Sequence, residues 1–203
     1  MARFAQHHNG CMLCAIDIDT TGPDPWFHEI LNIAIIPLDS EMRPSKEVLP
    51  YALSLTPEYP ERIAKATKKI VTSTEHSMDK MSAIDLFVKW VEKLKLPTTK
   101  WGTPKKIMPL SHGYVTKQPF ITRWMTQEYY DINFSSSYRD TQATAAYLND
   151  QTAFHGRVVP YSKIELSWVA HQCHVEHRAL EGVLQRARTC AETYRALCGQ
   201  GLF

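Results

Sequence analysis

No stretch of the chain approaches 18 consecutive apolar residues, the length that reads as a membrane-spanning helix. The opening Met-Ala-Arg-Phe-Ala-Gln-His-His-Asn-Gly carries no apolar core of the signal-peptide kind. Together these predict a soluble, cytoplasmic protein with no membrane partner. Charge of one sign is not in excess either: 23 Lys+Arg against 21 Asp+Glu leave a net +2, too little to argue for nucleic acid by itself. Five cysteines, an odd number without framework spacing, exclude a secreted disulfide scaffold and point to reduced thiols. Cys11 and Cys14, with His7 and His8 upstream, and His171, Cys173, His174 and His177 keep zinc open as an alternative to small buried thiols. No Gly/Ser-rich or Pro-rich linker, internal repeat or low-complexity tract divides the chain. Its 203 residues and 44% apolar content therefore predict a single domain over 1–203, with a core at about 11–198.

What the chain does have is residues 11–22, Cys-Met-Leu-Cys-Ala-Ile-Asp-Ile-Asp-Thr-Thr-Gly, an apolar run ending in two aspartates. Side chains alternate across a strand, so Asp17 and Asp19 share one face and can converge on one ion. Leu13, Ala15, Ile16 and Ile18 indicate burial on both faces, and two carboxylates at such a strand end repel each other without a cation. The competing reading is a strand running into a self-capping Asp-Thr-Thr-Gly turn.

Residues 28–38 read as a second strand and Val48–Leu55 as a third, which predicts an antiparallel meander. Residues 57–79 read as short helices and loops. Met81, Ile84, Phe87, Val88, Val91 and Leu94 then recur at helical spacing and predict an amphipathic helix ending before Pro97. Ile107–Leu110 reads as a buried strand leading into Ser111-His112-Gly113-Tyr114. Helices are expected over 118–127, from Asp140 onward with Ala143, Ala146, Tyr147 and Leu148, and over 162–172. The last helix is predicted over 178–198, with a stripe of Ala179, Val183, Ala187, Cys190, Ala191, Tyr194 and Leu197. Strands first and helices interleaved afterwards give an α/β fold, a mixed sheet flanked by helices.

Four segments carry the chemistry: Asp17-Ile-Asp19-Thr20-Thr21-Gly22, His112-Gly-Tyr-Val-Thr-Lys117-Gln-Pro-Phe120-Ile121, Tyr138-Arg-Asp140-Thr, and His177-Arg-Ala-Leu-Glu181-Gly182. In this order and spacing, from about Met12 to Leu197, they resemble the DEDDh, or DnaQ-like, 3′-to-5′ exonucleases. The resemblance implies a ribonuclease H-like fold, with the first three strands antiparallel. It also implies Mg²⁺ or Mn²⁺ held by acids on the first strand, after the fourth strand and five residues beyond a general-base histidine. Such ions polarise the scissile phosphate and generate hydroxide near neutral pH. On this alignment Asp17 and Asp19 are residual metal ligands and His177 is the general base.

Two acids are missing from the pattern. Lys117 stands at the second motif's aspartate and Gly182 at the last one. Glu181 is a possible substitute one residue away, although a one-residue shift turns a helical side chain by about 100°. An ammonium about 5 Å from a dication costs about 6 to 7 kcal/mol at an effective dielectric near 20, unless it swings away. Lys117 is expected instead to pair with Asp17 or Asp19.

The resulting expectation is a degenerate exonuclease-fold protein, inactive or strongly impaired, retained to bind single-stranded nucleic acid or a host or replication protein. Similarity to viral and phage exonucleases extends this to a phage-encoded accessory or inhibitor in the host cytoplasm. The alternative is an active metal-dependent 3′-to-5′ exonuclease on single-stranded DNA or RNA using Asp17, Asp19 and His177. Thr20, Thr21 and His112 are nucleic-acid-binding candidates, and Asp140 reads as a helix N-cap. Lys68, Lys69, Lys100, Lys105, Lys106, Arg186 and Arg188 read as solvated charges, with a phosphate-binding rim as the minority alternative. Trp26, Phe27, Tyr129 and Tyr130 either stack on bases or pack at element ends.

Overall fold

Ten consecutive residues, Cys11–Thr20, form strand β2, around which the sheet is built. The computed structural model describes residues 6–7, 10–63, 77–176 and 182–199. Preceding β2 is the short β1 (Gln6–His7), and following it are β3 (Ile30–Pro37), β4 (Tyr51–Leu55) and β5 (Ser77–Met78). Next come α1 (Lys80–Leu94), β6 (Ile107–Ser111), α2 (Tyr114–Met125) and α3 (Gln127–Asn133). The chain continues with β7 (Arg139–Asp140), α4 (Thr141–Phe154), α5 (Leu166–Gln172) and α6 (Gly182–Gly199).

The strands lie in the order β5-β4-β3-β2-β6-β7, with β1 pairing on β2. β2, β3 and β4 form the expected antiparallel meander, and β6 joins β2 in parallel with Ala15 opposite Leu110. Alternation along β2 splits its side chains between two cores. Met12, Cys14, Ile16 and Ile18 face a core with α1, α2 and α3, whereas Cys11, Leu13 and Ala15 face Val183, Ala187 and Cys190 of α6. Asp17 and Asp19 share the odd-numbered face, the one covered by α6. The same alternation sends Cys11 and Cys14 to opposite faces, so this pair cannot ligate one zinc ion. Among the described residues no group of three or more His, Cys, Asp and Glu is arranged to hold a metal, and His7, His8 and His177 lie outside the side chains described.

The first core is dominated by aromatics. Phe87 stacks on Phe134 with ring centroids 5.8 Å apart and meets Tyr51 edge-on at 5.6 Å, contacts worth about 0.5–1.5 kcal/mol each beyond area burial. Two polar tips are satisfied, Tyr51 Oη donating to the Ala83 carbonyl at 2.7 Å and Trp90 Nε1 to the Leu49 carbonyl at 2.8 Å, whereas the buried Trp124 Nε1 has no hydrogen-bond partner among the described residues.

Several boundaries differ from the sequence expectations. α1 buries the expected Phe87 and Leu94 together with Ala83 and Trp90, Ile84 and Val91 pack against the same core, and Met81 is left exposed. The third strand begins at Tyr51 rather than Val48, and α5 begins at Leu166 rather than 162. α2 begins at Tyr114, one turn before the expected start, because its N-terminus is capped from elsewhere in the chain. The last helix is described from Gly182 onward, and its stripe from Val183 to Leu197 is buried as expected. Among the described residues no helix is long and apolar enough to cross a membrane.

Candidate functional site

The candidate site lies where β2 and the parallel β6 end, roofed by α6 and flanked by the first turn of α2. Asp17 and Asp19 sit two residues apart on the α6 side of β2, opposite Ala34 and Asn32 of β3. At the end of β6 the chain turns through Gly113, whose φ of +70° lies in the left-handed region that glycine adopts without Cβ strain. That turn starts α2 and places Lys117 in its first turn.

Asp140 fixes both helices that start here. Its carboxylate accepts from the backbone N–H groups of Gly113 (3.0 Å) and Tyr114 (2.7 Å) at the head of α2. It also accepts from Gln142 N (2.9 Å) and Ala143 N (3.4 Å), capping α4 as expected. One side chain thereby satisfies orphan donors of two helices.

The aspartates meet two cations. Lys117 Nζ lies 2.6 Å from Asp17 Oδ1 and also donates to Ser111 Oγ (3.0 Å) and the His112 carbonyl (2.8 Å). The pairing expected for Lys117 is therefore present. Arg186, from the first turns of α6, spans both acids: Nε lies 2.5 Å from Asp17 Oδ2 and Nη2 2.5 Å from Asp19 Oδ1. The remaining oxygen, Asp19 Oδ2, accepts from Asn32 Nδ2 at 3.1 Å, and Ser54 Oγ holds Asn32 by donating to its Oδ1 at 2.7 Å. All four carboxylate oxygens are engaged, and two negative charges face two positive ones. The side chains retain 8% (Asp17), 13% (Asp19), 19% (Lys117) and 25% (Arg186) of their exposure. Burial pulls the Arg186 pKa down, but Asp17 and Asp19 more than offset it and the net direction is upward. Such satisfaction is what a largely buried ion-pair cluster requires, since desolvation is otherwise uncompensated.

Arg186 corrects an expectation: it is no solvated face but the centre of the cluster. The sequence did carry a signal. Arg186 stands four residues beyond Gly182, one helical turn, and i/i+4 positions share a helix face. Gly182 itself starts α6 with a φ of +75° and open space where a Cβ would point. His177 and Glu181 lie outside the described residues.

The other candidates are tied into the scaffold. Thr20 Oγ1 donates to the Gly22 carbonyl (2.7 Å), and buried Thr21 accepts from Glu29 N (2.9 Å). His112 Nδ1 shares a 2.8 Å hydrogen bond with Thr141 Oγ1, and its pKa is lowered, first by burial and then by the Lys117 charge. Tyr130 is buried with its hydroxyl 2.8 Å from that of Tyr114, whereas Trp26 is 79% exposed. Beside Trp26 runs a groove of about 430 Å³ between the β2–β3 loop and α2, lined by Pro25, Gln118, Pro119, Thr122 and Arg123. Arg123 Nη1 holds the loop there through the Pro25 carbonyl at 2.6 Å.

Mg²⁺ or Mn²⁺ requires free hard oxygens. Here both Asp17 oxygens and one of Asp19 are taken by an ammonium and a guanidinium, so the described residues do not fit either ion. Solved structures supply the likeness of the fold. E. coli exonuclease I in complex with a dA16 oligonucleotide matches with a TM-score of 0.64 at 12% identity, over 93% of this chain and 41% of that one. The α/β fold of this chain is ribonuclease H-like. A 3′-exonuclease from work on 3′-end-specific recognition of a histone mRNA stem-loop matches with a TM-score of 0.66 at 13% identity, over 98% of this chain and 67% of that one. S. pombe Pop2p with Mg²⁺ and Mn²⁺ bound matches with a TM-score of 0.62 at 12% identity, over 93% of this chain and 83% of that one. This chain thus spans under half the length of exonuclease I. No protein-family model and no curated protein sequence matches it.

Proposed function

We propose that this protein is a single-domain, degenerate member of the DnaQ-like exonucleases that binds single-stranded nucleic acid without metal-dependent cleavage. One observation carries the reading: Lys117 Nζ at 2.6 Å from Asp17 Oδ1, with Arg186 across both aspartates, puts two protein cations on the oxygens a catalytic ion would need. Coulomb repulsion between a dication and cations at this range opposes metal entry. Nucleic acid is favoured as the partner by exposed Trp26 beside Arg123 in the groove along α2, since an aromatic face with a basic rim suits stacked bases and their phosphates. The dA16 complex of exonuclease I and the recognition of a histone mRNA stem-loop by a 3′-exonuclease, both structural neighbours, support the same ligand class.

The test is calorimetric titration of Mn²⁺ and Mg²⁺ into the purified protein, followed by incubation with labelled single-stranded DNA and RNA beside Asp17→Ala. The expected result is no saturable metal binding at the site and no shortening of either strand. Metal-dependent shortening that Asp17→Ala abolishes would overturn the reading in favour of an active exonuclease built on Asp17, Asp19 and His177.

A further inference from the structure

Accounting for every polar donor at the ion-pair centre isolates one group. Lys117 has three donors, and they are directed at Asp17, Ser111 and the His112 carbonyl. The N–H groups that open α2, which an anion would otherwise find, are occupied by Asp140. Ser111 Oγ donates to the Ile16 carbonyl at 2.7 Å. Arg186 differs: Nε and Nη2 hold the aspartates, while Nη1, with two N–H groups, has no partner among the described residues. A quarter of its side chain remains exposed. Among the described residues, the guanidinium is therefore pinned on one edge by two carboxylates and has no partner at Nη1.

We infer that the open Nη1 edge of Arg186 is a metal-independent phosphate site, which receives a backbone or terminal phosphate of a single strand. This rests on the nucleic-acid-binding reading above and specifies how the strand is held. Three physical points support it. First, two bare carboxylates would repel a phosphate, but Lys117 and Arg186 neutralise them, so an anion can approach without a bridging dication. Second, Arg186 is pre-oriented: its fork is fixed before the ligand arrives, which reduces the ordering cost of a charge-assisted hydrogen bond. Third, the site lies at the carboxyl ends of parallel strands β2 and β6, where α/β folds place ligands. The groove with Trp26 is lined by Gln118, the residue after Lys117 on α2.

The experiment measures binding of a 5′-fluorescein-labelled dT oligonucleotide by anisotropy in EDTA, across a series of salt concentrations. Removing Arg186 alone would strand two carboxylates, so the informative variant is Arg186→Gln with Asp19→Asn, which leaves the Asp17–Lys117 pair and keeps the cluster neutral. Its thermal midpoint establishes that it is folded. The expected result is chelator-resistant binding by the unaltered protein and at least about tenfold weaker binding by the double variant. The salt slope should fall by about 0.7, the value for one single-strand phosphate contact. A second readout needs no substitution: the Arg186 side-chain ¹⁵N–¹H signal should shift on adding the oligonucleotide. Equal affinity and slope in the double variant, with an unmoved Arg186 signal, overturn the phosphate site while leaving nucleic-acid binding intact. No binding by the unaltered protein at low salt overturns both, and binding only with Mn²⁺ overturns the metal-free reading itself.

Discussion

Arg186 and Asp19 stand 167 positions apart in the sequence and meet at 2.5 Å, closing α6 onto the strand that opens the fold. The contact ties the last helix to the first long strand, and it makes the acidic centre dependent on protein cations.

The first prediction concerns the strength of that dependence. Lys117→Met leaves Asp17 half-compensated in a poorly solvated position and should lower stability by about 1–3 kcal/mol, less than a fully buried pair because some water still reaches it. Adding Asp17→Asn should recover part of the loss. Urea unfolding of both variants decides it, and an unchanged midpoint in Lys117→Met would mean the pair contributes nothing.

Removing the cations should recreate a metal site. Lys117→Asp with Arg186→Ala turns a balanced cluster into three neighbouring carboxylates, and Mn²⁺ should then bind and raise the thermal midpoint. Saturation at 100 times the dissociation constant corresponds to about 2.7 kcal/mol. A melting curve indifferent to Mn²⁺ would show that geometry, and not charge alone, excludes the ion.

Asp140→Ala tests the double cap. One lost N-cap costs about 0.5–2 kcal/mol. Here the heads of α2 and α4 lose their acceptor together, so a destabilisation of about 2–3 kcal/mol is expected from chemical unfolding. Asp140→Asn, which retains one acceptor oxygen, should lose less. Equal losses in the two variants would assign the effect to packing.

His112 supplies a pH dependence. Burial and then the Lys117 charge lower its folded pKa, so the unfolded chain takes up this proton at a higher pH than the folded one. Stability should be full above the unfolded value of about 6.5 and should decline as pH falls from there through the lower folded value. His112→Asn should flatten this limb in urea midpoints taken between pH 7.5 and 5.5. A wild-type slope in that variant would place the titrating group elsewhere.

The meander, α1 and the last helix were legible because each depends on local periodicity. β1, β5 and β7 were not, since two residues carry no alternation and their strand character comes wholly from pairing partners. α2 was placed a turn late because its start is held by Asp140 from 26 residues away, a contact that no local pattern reports. At the site, the resemblance brought Asp17, Asp19 and Lys117 together correctly. Arg186 escaped because its role depends on a side chain crossing to a strand far away in sequence, and a position-by-position comparison stopped at Gly182.

The long-range closure also matters while the chain is being made. Translation proceeds at about 5–20 residues per second, so Asp17 and Asp19 are synthesised roughly 8–33 s before Arg186. For that interval Asp19 lacks its Arg186 partner, and Asp17 has at most Lys117, which is made before Arg186.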